Sequence, residues 1–232
     1  MISTDLGLVD LHSHFLPGID DGSKSADMSS EMLNHPSCAS YVVATPHFYG
    51  DISVEAFLKK RREAFESIEK TDKKVTFGAE VYYYPTIGRS ESLREFCIGG
   101  TTLVLIEMPF DRWSTNEIDS LISIHDNLSL SPVLAHVERY TRYQKKGTIE
   151  YLAENGVRIQ ANAEYFIEDF KEAYKMLSSG LISFLGSDMH NTGSRKPNFD
   201  EAVSLIVEIK GSSCLEIVSF NCRQLISNIK WE

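Results

Sequence analysis

The sequence predicts a single α/β barrel, and three features of its patterning carry that expectation. Short apolar runs alternate with segments of helical length along the whole chain. Most of those runs end in a histidine or a carboxylate, and barrels of this class gather their reactive groups at the C-terminal ends of their strands. One run, 101–108 (TTLVLIEM), is continuously rather than alternately apolar, as a strand covered on both faces must be. No linker, low-complexity tract or internal repeat interrupts residues 1–232, so one domain is expected.

The first strand is expected over 7–14, ending in His12 and His14. Alternate residues of a strand share a face, so both imidazoles aim at one point. The turn Pro17-Gly18-Ile19-Asp20-Asp21-Gly22 then returns a carboxylate, Asp21 or Asp20, to that point. Residues 26–38 offer only Met28, Met32 and Leu33 as an apolar stripe before Pro36, a weak helix. A β-branched second strand, 40–47, closes on Pro46 and His47. The helix at 53–69 repeats Phe57, Leu58, Phe65 and Ile68 at helical spacing. Its run Lys59-Lys60-Arg61-Arg62 spreads around the axis among glutamates and is expected to be solvated.

A third strand, 75–84, carries Glu80, and a short helix is expected over 90–97. The fourth strand, 101–108, carries Glu107 near its end, where burying an unpaired carboxylate is costly, so a cation is expected beside it. A helix at 115–129 precedes strand 131–137 with His136. Helices at 148–155 and 169–179 stop at Gly156 and Gly180, and a sixth strand, 158–166, lies between them. The seventh strand, 181–190, ends in Asp188 and His190, and helices at 199–210 and 214–228 turn at Gly211.

Composition removes several function classes. Lys+Arg 23 against Asp+Glu 33 leaves a net charge of −10 with no basic stripe, so nucleic acid is not the expected partner. No apolar run nears the roughly 20 residues of a membrane span and the N-terminal residues lack a signal-peptide pattern, so membrane insertion is not expected and a cytoplasmic location is. Cys38, Cys97, Cys214 and Cys222 are widely spaced, without a CxxC pair, and suggest neither a disulfide framework nor a thiolate zinc site. The residues six positions after them are Ala44, Leu103, Phe220 and Asn228, which excludes Cys-x5-Arg phosphatase chemistry.

The candidate site collects His12, His14, Asp21, His47, Glu80, Glu107, His136, Asp188 and His190; of seven histidines only His35 and His125 stand outside it. Four carboxylates at one barrel mouth repel unless cations intervene. Imidazole and carboxylate ligands without thiolate suit manganese, with iron and zinc as alternatives, and nine ligands suit two or three divalent ions. Three such ions against four carboxylates leave a net charge of about +2, which attracts a phosphate dianion. Arg139 and Arg195, each just past a strand end, are candidates to hold phosphate oxygens. The aromatic residues Phe48-Tyr49 and Tyr82-Tyr83-Tyr84 neighbour ligands and suit either a phenyl slot or core packing.

The motifs HSHFLPGIDDG, ATPH, GAE, LIEMP, AHVER and GSDMHNTGSR, in that order between about residues 8 and 195, resemble the polymerase-and-histidinol-phosphatase (PHP) superfamily. More closely, they resemble the manganese-dependent protein-tyrosine phosphatases of bacterial capsule and exopolysaccharide operons. The resemblance implies a distorted (β/α)7 TIM-like barrel with a trinuclear site. One ion would be held by His12, His14, Glu80 and Asp188, a second by Glu80, Glu107 and His136, and a third by Asp21, His47 and His190. Arg139 and Arg195 would hold the phosphate. The implied reaction is metal-assisted hydrolysis of a phosphomonoester by water, without a phosphoenzyme, on a phosphotyrosine protein such as a capsule-regulating tyrosine autokinase. A small-molecule phosphatase such as histidinol phosphatase, a PHP-type nuclease and a non-catalytic metal-dependent interaction module are the alternatives.

Overall fold

Parallel pairing runs through the computed structural model, which describes residues 2–229 and 231–232. In chain order the elements are α1 (Ile2–Asp5), β1 (Asp10–Ser13), α2 (Ala26–Asn34), β2 (Tyr41–Ala44), β3 (His47–Phe48), α3 (Val54–Glu66), β4 (Lys74–Phe77), β5 (Glu80–Tyr82), β6 (Leu103–Glu107), α4 (Thr115–Leu128), β7 (Ser131–Leu134), α5 (Thr148–Glu154), β8 (Arg158–Asn162), α6 (Ala163–Glu168), α7 (Phe170–Ser178), β9 (Phe184–Gly186), α8 (Phe199–Lys210) and α9 (Glu216–Asn228). One sheet has the order β1-β2-β4, the other β3-β5-β6-β7-β8-β9. This is an α/β fold whose parallel strands line a half-barrel.

Two expected strands are each broken in the middle. Residues 40–47 divide into β2 and β3 at Thr45-Pro46, where proline has no N–H for the ladder. Residues 75–84 divide into β4 and β5 at Gly78-Ala79, where a Cβ on Gly78 would come within 2.9 Å of Ile98 Cγ1. The leading halves β2 and β4 pair with each other and β2 joins β1, while the trailing halves β3 and β5 pair with each other and β5 joins β6. The ends of β1 and β9 also meet: Asp188 N–H donates to the His12 carbonyl at 2.7 Å, His14 N–H to the Met189 carbonyl at 2.9 Å, and Ser13 bridges Met189.

The core lies between strands and helices, with Leu11, Val42, Val75, Val81, Leu105, Val133, Ile159 and Leu185 all fully buried. The continuous apolarity of β6 follows from burial of Val104 to Glu107. The weak stripe of α2 suffices because Met32 and Leu33 are fully buried and Ser25 caps the helix by accepting the Met28 N–H. A reciprocal Ser114–Glu117 capping box opens α4.

Several local expectations are corrected. The expected helix at 90–97 is a 3-10 helix, Glu91–Phe96. The sixth strand stops at Asn162 and the chain turns directly into α6. The seventh strand is short, Phe184–Gly186. Arg61 is not solvated: its guanidinium lies 5.5 Å from the Phe77 ring centre and donates to the Gly78 carbonyl, and burial lowers its pKa to about 10. All four cysteines are free thiols, with Cys38, Cys97 and Cys222 buried. Among the described residues, no helix is long and apolar enough to cross a membrane.

Candidate metal centre

Strand β1 orients the first two imidazoles, and their outer nitrogens determine their inner ones. His12 Nδ1 lies 3.2 Å from Gln160 Oε1, which also accepts the His136 N–H at 2.7 Å. His14 Nδ1 lies 2.8 Å from Asp20 Oδ2, which also accepts the His47 N–H at 2.9 Å, while Asp20 Oδ1 accepts the Gly22 N–H. The turn is tight enough to require glycine, since a Cβ on Gly22 would sit 2.1 Å from the His14 carbonyl oxygen. With both Nδ1–H groups committed, the Nε2 atoms of His12 and His14 face each other at 2.9 Å. Glu80 Oε2 stands 3.1 and 3.2 Å from them, and Asp188 Oδ1 3.5 and 3.6 Å. Two imidazole nitrogens and two carboxylates this close require positive charge among them, from a bound proton or from a metal ion that displaces it.

Glu80 is the hub. Its Oε2 also lies 3.1 Å from His47 Nδ1, and its Oε1 lies 2.8 Å from His136 Nε2. Glu107 meets the same two rings at 3.7 and 3.6 Å. On the outer side the exposed Asp21 Oδ1 lies 3.6 Å from His47 Nε2 and 3.3 Å from His190 Nε2. His190 Nδ1 bonds the Asp188 carbonyl at 2.9 Å, leaving Nε2 free to face inward. Donor atoms within 4.8 Å of one another form three groups: His14, Asp21, His47 and His190; His12, His14 and Glu80; and His47, Glu80 and Glu107.

Electrostatics agrees with this geometry. Burial pushes the His14 imidazolium down, but Asp20 and Glu80 outweigh it and raise its pKa to about 10. Burial likewise opposes His136, which Glu107 and Glu80 raise to about 9. Burial would raise Glu80 and Asp188, yet the imidazoles, and for Asp188 the two arginines, hold both well below the usual carboxylate range. His47 Nδ1 and His190 Nε2, which face the centre, are buried without a hydrogen-bond partner, as is the Nδ1 of His136, whose Nε2 meets Glu80. Buried, orphaned nitrogens among ionised carboxylates, with no thiolate, fit a divalent ion of the manganese, iron or zinc kind.

Backbone geometry completes the arrangement. Apart from the helix-capping Ser129, the described non-glycine residues with positive φ are His136 (φ 31) and Asp188 (φ 53). These strained reversals at the ends of β7 and β9 turn the two side chains into the centre. Arg139 and Arg195 both donate to Asp188 Oδ2, the latter at 2.7 Å, and their side chains are about one third exposed, at 34% and 31%. All nine candidate ligands and both arginines therefore lie at one end of the strands. His35 and His125 lie apart, the first accepting the Ser37 N–H and the second bonded to the Leu130 carbonyl.

Residues 8–227 match the family described as capsular polysaccharide synthesis, CpsB/CapC. The chain belongs to that family. Among CpsB/CapC relatives, the tyrosine-protein phosphatase CpsB of Streptococcus pneumoniae is 28% identical over 94% of this chain and 98% of its own. The tyrosine-protein phosphatase YwqE of Bacillus subtilis (strain 168) is 26% identical, covering 95% of this chain and 92% of its own. A crystal structure from work on YwqE and S. pneumoniae CpsB, described as unique metal-dependent tyrosine phosphatases, shares the fold: TM-score 0.73 at 22% identity, covering 97% of both chains.

In this CpsB/CapC chain, sequence reasoning left Asp20 as an alternative to Asp21 and passed over Gln160, Asn162 and Asp10. Asn162 Nδ2 donates to Asp188 Oδ2 at 3.0 Å and its Oδ1 accepts from Gln160 Nε2. Asp10 Oδ1 accepts the N–H groups of His12 and Ser187. The signal for two of them was present: Gln160 and Asn162 are polar residues two apart on one face of the strand, and both are buried.

Proposed function

We propose that this chain is a metal-dependent protein-tyrosine phosphatase. The observation that carries the proposal is the 2.9 Å approach of His12 Nε2 and His14 Nε2 beside Glu80 and Asp188, a cation-demanding centre with two arginines at its rim. The names of the CpsB and YwqE relatives, tyrosine-protein phosphatases, supply the reaction class.

His12, His14, Asp21, His47, Glu80, Glu107, His136, Asp188 and His190 hold two or three divalent ions, manganese first, iron and zinc as alternatives. When bound, the ions acidify water and draw charge from the phosphoryl oxygens. Asp20 and Gln160 keep the His14 and His12 tautomers set for ligation. Arg139 and Arg195 hold the phosphoryl group through charge-assisted bonds and stabilise charge as it develops. A phenolate leaving group, pKa about 10, needs only modest help with its proton.

The domain proposed is one unit over residues 1–232, a distorted (β/α)7 TIM-like barrel. Support for closure comes from the Ser13–Met189 bridge and from reading β2 with β3, and β4 with β5, as interrupted single strands. The substrate proposed is a phosphotyrosine protein of capsule synthesis, a regulatory tyrosine autokinase, met in the cytoplasm. The family description supports the pathway and the net charge of −10 argues against nucleic acid.

The test is turnover of para-nitrophenyl phosphate and a phosphotyrosine peptide alongside metal analysis. Glu80→Ala and His136→Ala are expected to lower both metal content and turnover at least about 100-fold. Wild-type turnover by either variant with metals removed would refute the proposal. Faster turnover of histidinol phosphate than of the peptide would instead favour a small-molecule phosphatase.

A further inference from the structure

Among the described residues, two exposed large aromatic side chains lie against imidazoles of the candidate metal centre, Tyr49 stacked on His47 and Phe110 tilted against His136, one on each side of its carboxylate hub. Tyr49 is 58% exposed and its ring lies 5.0 Å from that of His47 at an interplanar angle of 23°, with Tyr82 5.8 Å away. Phe110 is 44% exposed and lies 5.7 Å from His136 at 31° and 5.5 Å from the buried Tyr140 at 21°. His47 meets the Oε2 atoms of Glu80 and Glu107 while His136 meets their Oε1 atoms, so the two rings flank one carboxylate pair.

Neither ring is pinned by chance. Tyr140 supports Phe110 and is itself held by the Met108 N–H, which donates to its hydroxyl, and by Trp113 at 4.9 Å. Tyr49 follows directly on β3, whose Phe48 is anchored in the core against Phe57 and Phe96. The core therefore takes Phe48, and Tyr83 and Tyr84 pack against it, leaving Tyr49 and Phe110 at the mouth.

Glu80 and His136 are each only 1% exposed, while the Tyr49 and Phe110 rings packed against His47 and His136 reach the surface. A phosphoryl group reaching that depth must hang from a spacer long enough to keep a peptide backbone outside. A phenyl ring is such a spacer, and its faces suit stacked or edge-on contact with the two rings. A phosphoserine has one methylene in that place and can make neither contact.

We propose that Tyr49 and Phe110 form the specificity-determining rim of an aryl-binding slot, which selects phosphate esters of phenols over those of alcohols. This deepens the phosphatase reading and rests on it. Each ring contributes about 2- to 10-fold, the range of a single aromatic contact.

The test is calorimetric binding of phenylphosphonate and methylphosphonate, both non-hydrolysable, to the manganese-loaded protein, with metal content measured in every variant. The wild type is expected to prefer phenylphosphonate by about 10-fold or more. The double variant Tyr49→Ala/Phe110→Ala is expected to lose that preference at unchanged metal content, and Tyr49→Phe/Phe110→Tyr to keep it. Equal affinities in the wild type, or a preference surviving in the double alanine variant, would overturn the slot. Because binding is read without turnover, phenyl preference in a protein that hydrolyses no phosphoester would sink the phosphatase reading and leave the slot standing.

Discussion

Asp20 shows how one side chain positions candidate ligands of the proposed metal centre from behind. Its two oxygens accept three N–H groups, from His14 Nδ1, the His47 backbone and the Gly22 backbone. Asp20→Asn turns an NH2 toward one of those donors and removes the charge that holds His14 in position. Metal affinity is expected to fall about 10- to 100-fold with the fold retained, read by titration of the metal-free variant with manganese. The same ring sets the proton balance. In the metal-free protein His14 is raised to about 10 and His136 to about 9, so both carry a proton at neutral pH that a metal ion must displace. Metal uptake at pH 7 is therefore expected to release at least one proton, and affinity to rise with pH. Calorimetry in two buffers of different ionisation enthalpy measures the release; a value of zero would contradict the assigned ligands.

At the scale of elements, the site depends on how closely β9 approaches β1. A Cβ on Gly186 would lie 2.5 Å from His12 Cβ and 2.9 Å from Gln160 Nε2. Gly186→Ala is expected to destabilise by about 1–3 kcal/mol through overpacking and also to lower bound metal, because the side chains displaced are a ligand and the group that orients it. Ser114→Ala provides the contrast. It removes the capping box of α4, a helix that carries none of the candidate ligands, and is expected to cost about 1 kcal/mol at unchanged metal content. Thermal melts with metal analysis separate the two; equal metal loss in both would show that any destabilisation empties the site.

Across the whole molecule, the ions are expected to act as staples among strand ends from β1 to β9. Chelation at a free-metal level about 100 times the dissociation constant removes about 2.7 kcal/mol, or roughly 5–10 °C in Tm for a chain of this size. The pH dependence of that gap has a definite sign. Histidines with raised pKa values stabilise the metal-free fold fully below the unfolded value of 6.5, and that contribution is lost as pH rises through about 9 to 10. The loaded protein replaces those protons with metal. The Tm gap between loaded and chelated protein is thus expected to widen from pH 7 to pH 9; a constant gap would argue that His14 and His136 do not exchange protons for metal.

Residue periodicity indicated most of the strand and helix order, α6 excepted, because burial on one or both faces imposes a repeat of two, of 3.6, or an unbroken apolar run such as 103–106. It also brought out the candidate ligands, since imidazoles and carboxylates at the ends of apolar runs have no cheap structural reason to be there. What it could not supply was where a strand breaks, as at Pro46 and Gly78, or that Arg61 turns inward over Phe77, because those depend on partners distant in sequence. Nor could it separate Asp20 from Asp21, assign Gln160 to His12, or reveal the positive φ of His136 and Asp188. Side-chain type is a property of the chain, while the direction in which a lone pair points is decided by backbone twist and by hydrogen bonds between elements that meet only when the fold assembles.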